Sequence, residues 1–195
     1  MAVSMEVILE KALKAVEETG KQLDSRVIDN CVEILNRTKG NILVTGMGTS
    51  GTVARRAAHL LGCAGMKAFF VHPADQQHGS SGAISKDDLI IVFSKGGESE
   101  EINSYLNIAR RQNCTIIAVT GRKESTMVDI VDETIVVEIS DEYEGYGLLP
   151  TASTLSSCVI SDIILLLLLD RRGFDKEGFG VLHPGGMTGK KLGAR

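Results

Sequence analysis

The stretch LIIVFSKGGESEEI (89–102) decides how this chain folds. Leu89 to Phe93 is an unbroken apolar run rich in β-branched residues. It does not alternate with polar residues, so it reads as a strand buried on both faces, and such a strand needs a layer of structure on each side. The run stops at Ser94, and a polar helical pattern resumes near Ser99. Between them lie hydroxyls, a lysine and two glycines (Ser94 to Ser99) that folding alone does not require.

Similar runs occur at Asn41–Thr45, Ala68–Val71, Thr115–Val119 and Thr134–Ile139. Helical patterns follow at about 50–62, 99–112 and 151–171. Alternating strands and helices predict an α/β fold: a doubly wound, five-stranded parallel sheet flanked by helices. Residues 5–37 predict two amphipathic helices broken near Gly20, so that segment 1–39 packs on one domain covering 1–195. The prolines, Pro73, Pro150 and Pro184, all fall in predicted loops, which they stiffen.

Composition narrows the function. The chain has 195 residues, 43% of them hydrophobic, and a net charge of −4. That is enough for one substantial core. Without a basic stripe, nucleic acid is not an expected partner. Cys31, Cys63, Cys114 and Cys158 show no metal-ligand spacing and no disulfide framework, and they read as reduced thiols of a cytoplasmic protein. No signal peptide is expected. The apolar run Ile163–Leu169 is too short to span a bilayer and reads as a helix buried all round, in a core or a subunit interface, so no membrane partner is expected.

Two loops then claim the chemistry. GMGTSG (46–51) follows the first strand and SKGGES (94–99) the third. In strand order 2-1-3-4-5 the crevice opens between strands one and three, at their carboxyl ends, and the loops would face each other there. Glycines such as Gly48 bring backbone N–H groups close to a ligand, a helix N-terminus adds partial positive charge, and Ser50, Ser94, Ser99 and Lys95 offer further donors. These features suit a phosphate. A literal GxGxxG also suits a dinucleotide, but the acidic residue expected after the second strand is missing where His72-Pro73 stands. Tight turns alone are the third reading.

Through GMGTSG, FFVHPADQQHG, FSKGGESEEI, AVTG…ST, GLLPTAST and RRGF…LHPGG…G, the chain resembles the sugar isomerase (SIS) domain from about Gly40 onward. Within that family it is most similar to the bacterial arabinose-5-phosphate isomerases that lack CBS domains. The resemblance implies a homotetramer with active sites shared between subunits. It implies a cofactor-free, metal-free isomerisation of a phosphorylated sugar. Phosphate would be held by Ser50, Ser94 and Ser99, with help from Thr151, Ser153 and Thr154. Glu101, Glu142 and His183 fall on active-site positions, and His78 lies near the site. The chemistry agrees: aldose–ketose exchange through an enediol needs a base and a proton shuttle, roles that glutamate and histidine fill. A phosphosugar-binding module without catalysis is the alternative.

The chain departs from the resemblance at several points. Thr49 stands where GMGKSG has a functional lysine, and Gly48-Thr49-Ser50 instead resembles the isomerase domain of glucosamine-6-phosphate synthase. Ser80 replaces an aspartate, Gly96 a serine and Lys95 a small polar residue, and Glu142-Tyr-Glu-Gly lacks the usual Cys-Pro. The phosphate end is expected to survive, while the sugar-facing end has changed.

Overall fold

The computed structural model describes residues 4–191. Five strands form one sheet: β1 (Ile42–Gly46), β2 (Ala68–Phe70), β3 (Leu89–Ser94), β4 (Thr115–Thr120) and β5 (Glu133–Val136). Their order is β2-β1-β3-β4-β5, and every pairing is parallel. All six residues of β3 are buried, as its uninterrupted apolar run demands.

Side chains alternate between two cores. Ile42, Val44, Leu89, Ile91, Phe93, Ile117 and Val119 point into one, together with residues of α1 (Met5–Gln22), α2 (Ser25–Arg37), α3 (Gly48–Cys63) and α6 (Ala152–Arg172). Ile90, Val92, Ile116 and Ala118 point into the other, against Ile102, Tyr105, Leu106 and Ala109 of α5 (Glu100–Arg111). The crossover helix after β1 and the one after β3 therefore cover opposite faces, which places a topological switch point between these strands. The short α4 (Pro73–Gln76) follows β2, and α7 (Lys176–Leu182) and α8 (Gly186–Lys191) close the described chain. Between β4 and β5 no helix forms; that connection instead buries Met127.

Three details differ from the sequence expectations. The N-terminal helices break at Leu23-Asp24, where Asp24 caps α2 by accepting from Arg26 N–H at 2.8 Å, while Gly20 stays inside α1. Pro73 opens α4 rather than lying in a loop, since its fixed φ suits a first helical position. The apolar run of α6 is not buried all round in a single chain. Ile164, Leu165 and Leu168 pack inward, but Leu166 is 63% and Leu167 41% exposed. By length and composition this 21-residue helix is apolar enough to cross a membrane, yet it packs against α1, α2 and α3 as a core helix does.

Candidate functional site

The strand register sets the two loops side by side. Gly46 pairs with Phe93, and Ser94 with Thr120, so the chain leaves β1, β3 and β4 at one level. Gly46 and Gly51 make the first turn possible. A Cβ on Gly46 would come within 2.8 Å of the Ser50 carbonyl oxygen, and one on Gly51 within 2.7 Å of the Gly46 carbonyl oxygen. No side chain fits where α3 begins this tightly against its own strand. In the second turn Gly97 has φ +69°, and Ser125 packs where its Cβ would stand.

A cavity of about 1020 Å³ opens at these strand ends. Thr49 and Ser50 line it from α3, Lys95 and Gly96 from the β3 loop, Thr120 to Arg122 from the end of β4, and Ser153 and Thr154 from α6. Positions expected to hold substrate, from three separate segments of the chain, therefore meet in one chamber. Ser153 lines the chamber, and its Oγ is buried beside the Glu144 carboxylate that caps α6. Thr154 donates to Pro150 O at 2.7 Å, and Thr151 Oγ1 accepts from Gly145 N–H at 3.1 Å, so both hydroxyls serve the α6 N-terminus.

Ser94 ends β3 beside this chamber, 6% exposed. Its Oγ accepts from Gly97 N–H at 3.1 Å, which leaves its own proton to donate. Asn103 donates to Gly97 O at 3.2 Å. Asn103 Oδ1 and Ser125 Oγ, buried beside the same glycine, lack protein partners. Ser99, the N-cap of α5, makes no side-chain cap bond. The hydroxyls of the second loop are thus only partly used by the fold.

The electrostatics centre on a lysine and a carboxylate. Lys95 Nζ donates to Asp141 at 3.0 Å and to Glu144 at 2.9 Å. Glu144 is 1% exposed, and it also accepts from Ala152 N–H at 2.8 Å and Ser153 N–H at 3.3 Å, capping the start of α6. Burial by itself would raise its pKa, but bonds from Ser153, Lys95 and Ala152 outweigh that and hold the carboxyl below its usual range. Burial likewise disfavours the Lys95 charge, and the bonds to Glu144 and Asp141 overcome it and raise the ammonium's pKa. Sequence reasoning met Glu144 only within Glu142-Tyr-Glu-Gly and gave it no role. The signal was a carboxylate eight residues before a helix that lacks a side-chain cap of its own. Arg122, Ser156 and Ser157, which also line the cavity, were likewise not singled out.

The remaining positions stand apart within one chain. Glu101 is half-buried in the first turn of α5, outside the cavity lining. Glu142 is exposed, its carbonyl accepting from Lys11. His78 is exposed in the turn after α4. His183 lies in a different cleft, against α3 and β2, its ring stacked on Phe179 at 3.9 Å.

Comparison with known proteins matches this architecture. The SIS domain profile covers residues 34–167. The arabinose 5-phosphate isomerase KdsD of Shigella flexneri is 39% identical over 154 residues, 79% of this chain and 47% of that protein. Its counterpart from Salmonella typhi is 35% identical over 185 residues, 95% of this chain and 56% of that protein. The chain thus spans about half the length of these curated relatives. The E. coli CFT073 protein c3406, solved in complex with arabinose 5-phosphate, superposes with a TM-score of 0.85 at 29% identity, covering 91% of this chain and 94% of that one.

Proposed function

Since the chain belongs to the SIS domain family, we propose that it is a sugar-phosphate isomerase that interconverts an aldose and a ketose phosphate through an enediol. One observation carries the reading. The GMGTSG and SKGGES loops meet at the switch point beside a cavity of about 1020 Å³ that Thr49, Ser50, Lys95, Ser153 and Thr154 line together. Relatives named arabinose 5-phosphate isomerase and a neighbour holding arabinose 5-phosphate support a phosphorylated sugar as the occupant.

In this proposal the phosphate sits against the turn amides at Gly48–Ser50 and Gly96, with Ser50, Ser94, Ser99 and Ser153 donating. Charge-assisted hydrogen bonds from neutral groups suffice to hold a dianion at a helix start. Glu101 removes the C2 proton and returns it at C1, and His183 moves protons between the oxygens. Within one chain these two side chains do not face the cavity, so the working site is assembled between copies, with His183 delivered by a neighbour in a homotetramer. Glu142, on the exposed 141–143 turn, is a further group for the shared site. The cytoplasm, where sugar phosphates are handled, is the proposed location.

The position of His183 also favours a second reading, a phosphosugar-binding module without catalysis. One experiment separates the two. The protein is incubated with pentose and hexose phosphates in D2O while the C2 protons are followed by NMR. Exchange that His183→Ala abolishes supports the isomerase. Thermal stabilisation by a phosphosugar with no exchange selects the binding module.

A further inference from the structure

The loop after β3 sorts its peptide groups by direction. Lys95 O accepts from Gly121 N–H at 3.0 Å and from Thr120 Oγ1 at 3.3 Å. Gly97 O accepts from Met127 N–H at 3.1 Å and from Asn103 Nδ2 at 3.2 Å. Both carbonyls therefore face the body of the domain. In a planar trans peptide the N–H points opposite to the carbonyl, so the N–H groups of Gly96 and Glu98 leave the loop on its other side. Among the described residues neither meets a protein acceptor. Gly96 lines the cavity, and Glu98 is exposed at the start of α5. Backbone N–H groups turned outward from one loop in this way form a concavity that receives anions.

Asn103 holds this arrangement from α5. It is 8% exposed, and its Oδ1 is buried without a protein partner among the described residues. An unpaired buried acceptor destabilises a fold, so packing alone does not account for an amide here. The hydrogen bond its side chain does make goes to Gly97 O, and because a carbonyl only accepts, the NH₂ half faces the loop. Gly97 supplies the turn, at φ +69°, and gives its own N–H to Ser94 Oγ. The Glu98 carboxylate accepts from Thr126 N–H at 2.9 Å and Thr126 Oγ1 at 2.7 Å, which draws it toward the β4–β5 connection and off its own N–H.

We propose, on the reading that this loop meets a phosphate, that Asn103 is a positioning residue: it holds the Gly97–Glu98 peptide with its carbonyl inward and so presents the Glu98 N–H to the bound anion. A reversed peptide would aim the Gly97 carbonyl oxygen at the phosphate and repel it. Asn103 itself touches neither sugar nor phosphate and acts through the backbone.

The test follows the assigned backbone amides of the isotope-labelled protein by two-dimensional NMR while inorganic phosphate is added. In wild type the Glu98 amide proton is expected to move downfield, as an N–H that gains a charged acceptor does, together with the amides of Gly48–Ser50 and Gly96. Asn103→Asp nearly keeps the size but sets an acceptor against Gly97 O. It should lose the Glu98 shift, keep those of Gly48–Ser50, and bind phosphate roughly 10–100-fold more weakly, the loss of one hydrogen bond to a charged group. Asn103→Ala removes the donor without adding charge and should reduce the Glu98 shift less, because Met127 still holds the carbonyl. Circular dichroism melts check that the variants fold. A residue that only stabilised α5 would lower the melting temperature and leave the Glu98 shift intact. A full Glu98 shift in both variants, or a wild type in which Gly48–Ser50 respond and Glu98 does not, overturns the role of Asn103 and leaves the phosphate reading standing. Silence in both loops overturns that reading and the proposal with it.

Discussion

Lys95 Nζ stands 2.9 Å from Glu144 Oε1, tying the loop after β3 to the first turn of α6. Lys95 takes the place of a small polar residue in the pattern this chain resembles, and Glu144 lies in the segment that lacks Cys-Pro. Two departures that looked unrelated along the chain therefore answer each other in space. Together they place a lysine in the wall of the cavity that Thr49 also lines, where the pattern's own lysine is missing.

Removing Glu144 should loosen this wall. In Glu144→Ala the Ala152 N–H and the Lys95 ammonium lose a buried acceptor. The expected cost is about 1–3 kcal/mol, below the roughly 3–5 kcal/mol of a fully buried pair, because Lys95 is 40% exposed and water screens it. Urea denaturation reads the loss. The pH dependence has a definite sign. The folded pKa of Glu144 lies below the ordinary value of 4.5, so its contribution is present above pH 4.5 and is lost as pH falls through the folded pKa. The melting-temperature gap between wild type and Glu144→Gln should therefore narrow on acidification below pH 4.5. A gap that stays constant would show that the carboxylate charge plays no part.

Ser94 is expected to matter for ligand more than for fold. Ser94→Ala removes one acceptor, that of Gly97 N–H, at a cost of about 1 kcal/mol. A hydrogen bond to a charged phosphate is worth about 1.5–3 kcal/mol, so phosphosugar affinity should drop by roughly 10–100-fold. Calorimetric titration alongside a melt distinguishes the two effects. Unchanged affinity would remove the second loop from the site.

Much of this was legible in the residues. The inner strands announced themselves because a parallel strand covered on both faces must be apolar throughout, as β3 is, and the loops at the switch point carried glycines that close packing requires at Gly46 and Gly51. The C-terminal helices α7 and α8 were not foreseen. They are short, glycine-bearing and largely exposed, so no apolar stripe marks them. Glu144 was hidden for another reason: its burial depends on Lys95, 49 residues away, and no local pattern encodes that meeting. His183 was legible as a candidate by residue type, but within one chain it lines another cleft, and no local pattern tells where the C-terminal segment packs.

The outward leucines of α6 bear on the proposed tetramer. Leu166 is 63% exposed, and Leu13 of α1, a helix packed against α6, is 62% exposed. Apolar side chains left facing water on adjoining helices mark a surface that gains by being covered. Leu166→Asp should reduce the mass seen by sedimentation equilibrium from four chains to one or two, with the far-ultraviolet circular dichroism unchanged. A monomeric wild type would remove both the tetramer and the shared site built on it.

A shared site makes a sharper demand. If Glu101 of one copy works with His183 of another, Glu101→Gln and His183→Gln each leave every homotypic site defective. Mixed by unfolding and refolding together, the two variants form hybrid assemblies. In these, some sites draw a wild-type glutamate from one chain and a wild-type histidine from the other. Random pairing predicts that about a quarter of the sites become intact, since each position is wild type in half the chains. D2O exchange at C2, absent or lowered by orders of magnitude in each parent, should then return to roughly a quarter of the wild-type rate. A mixture as inactive as its parents, in assemblies of unchanged mass, would place both residues in the service of one chain or of none.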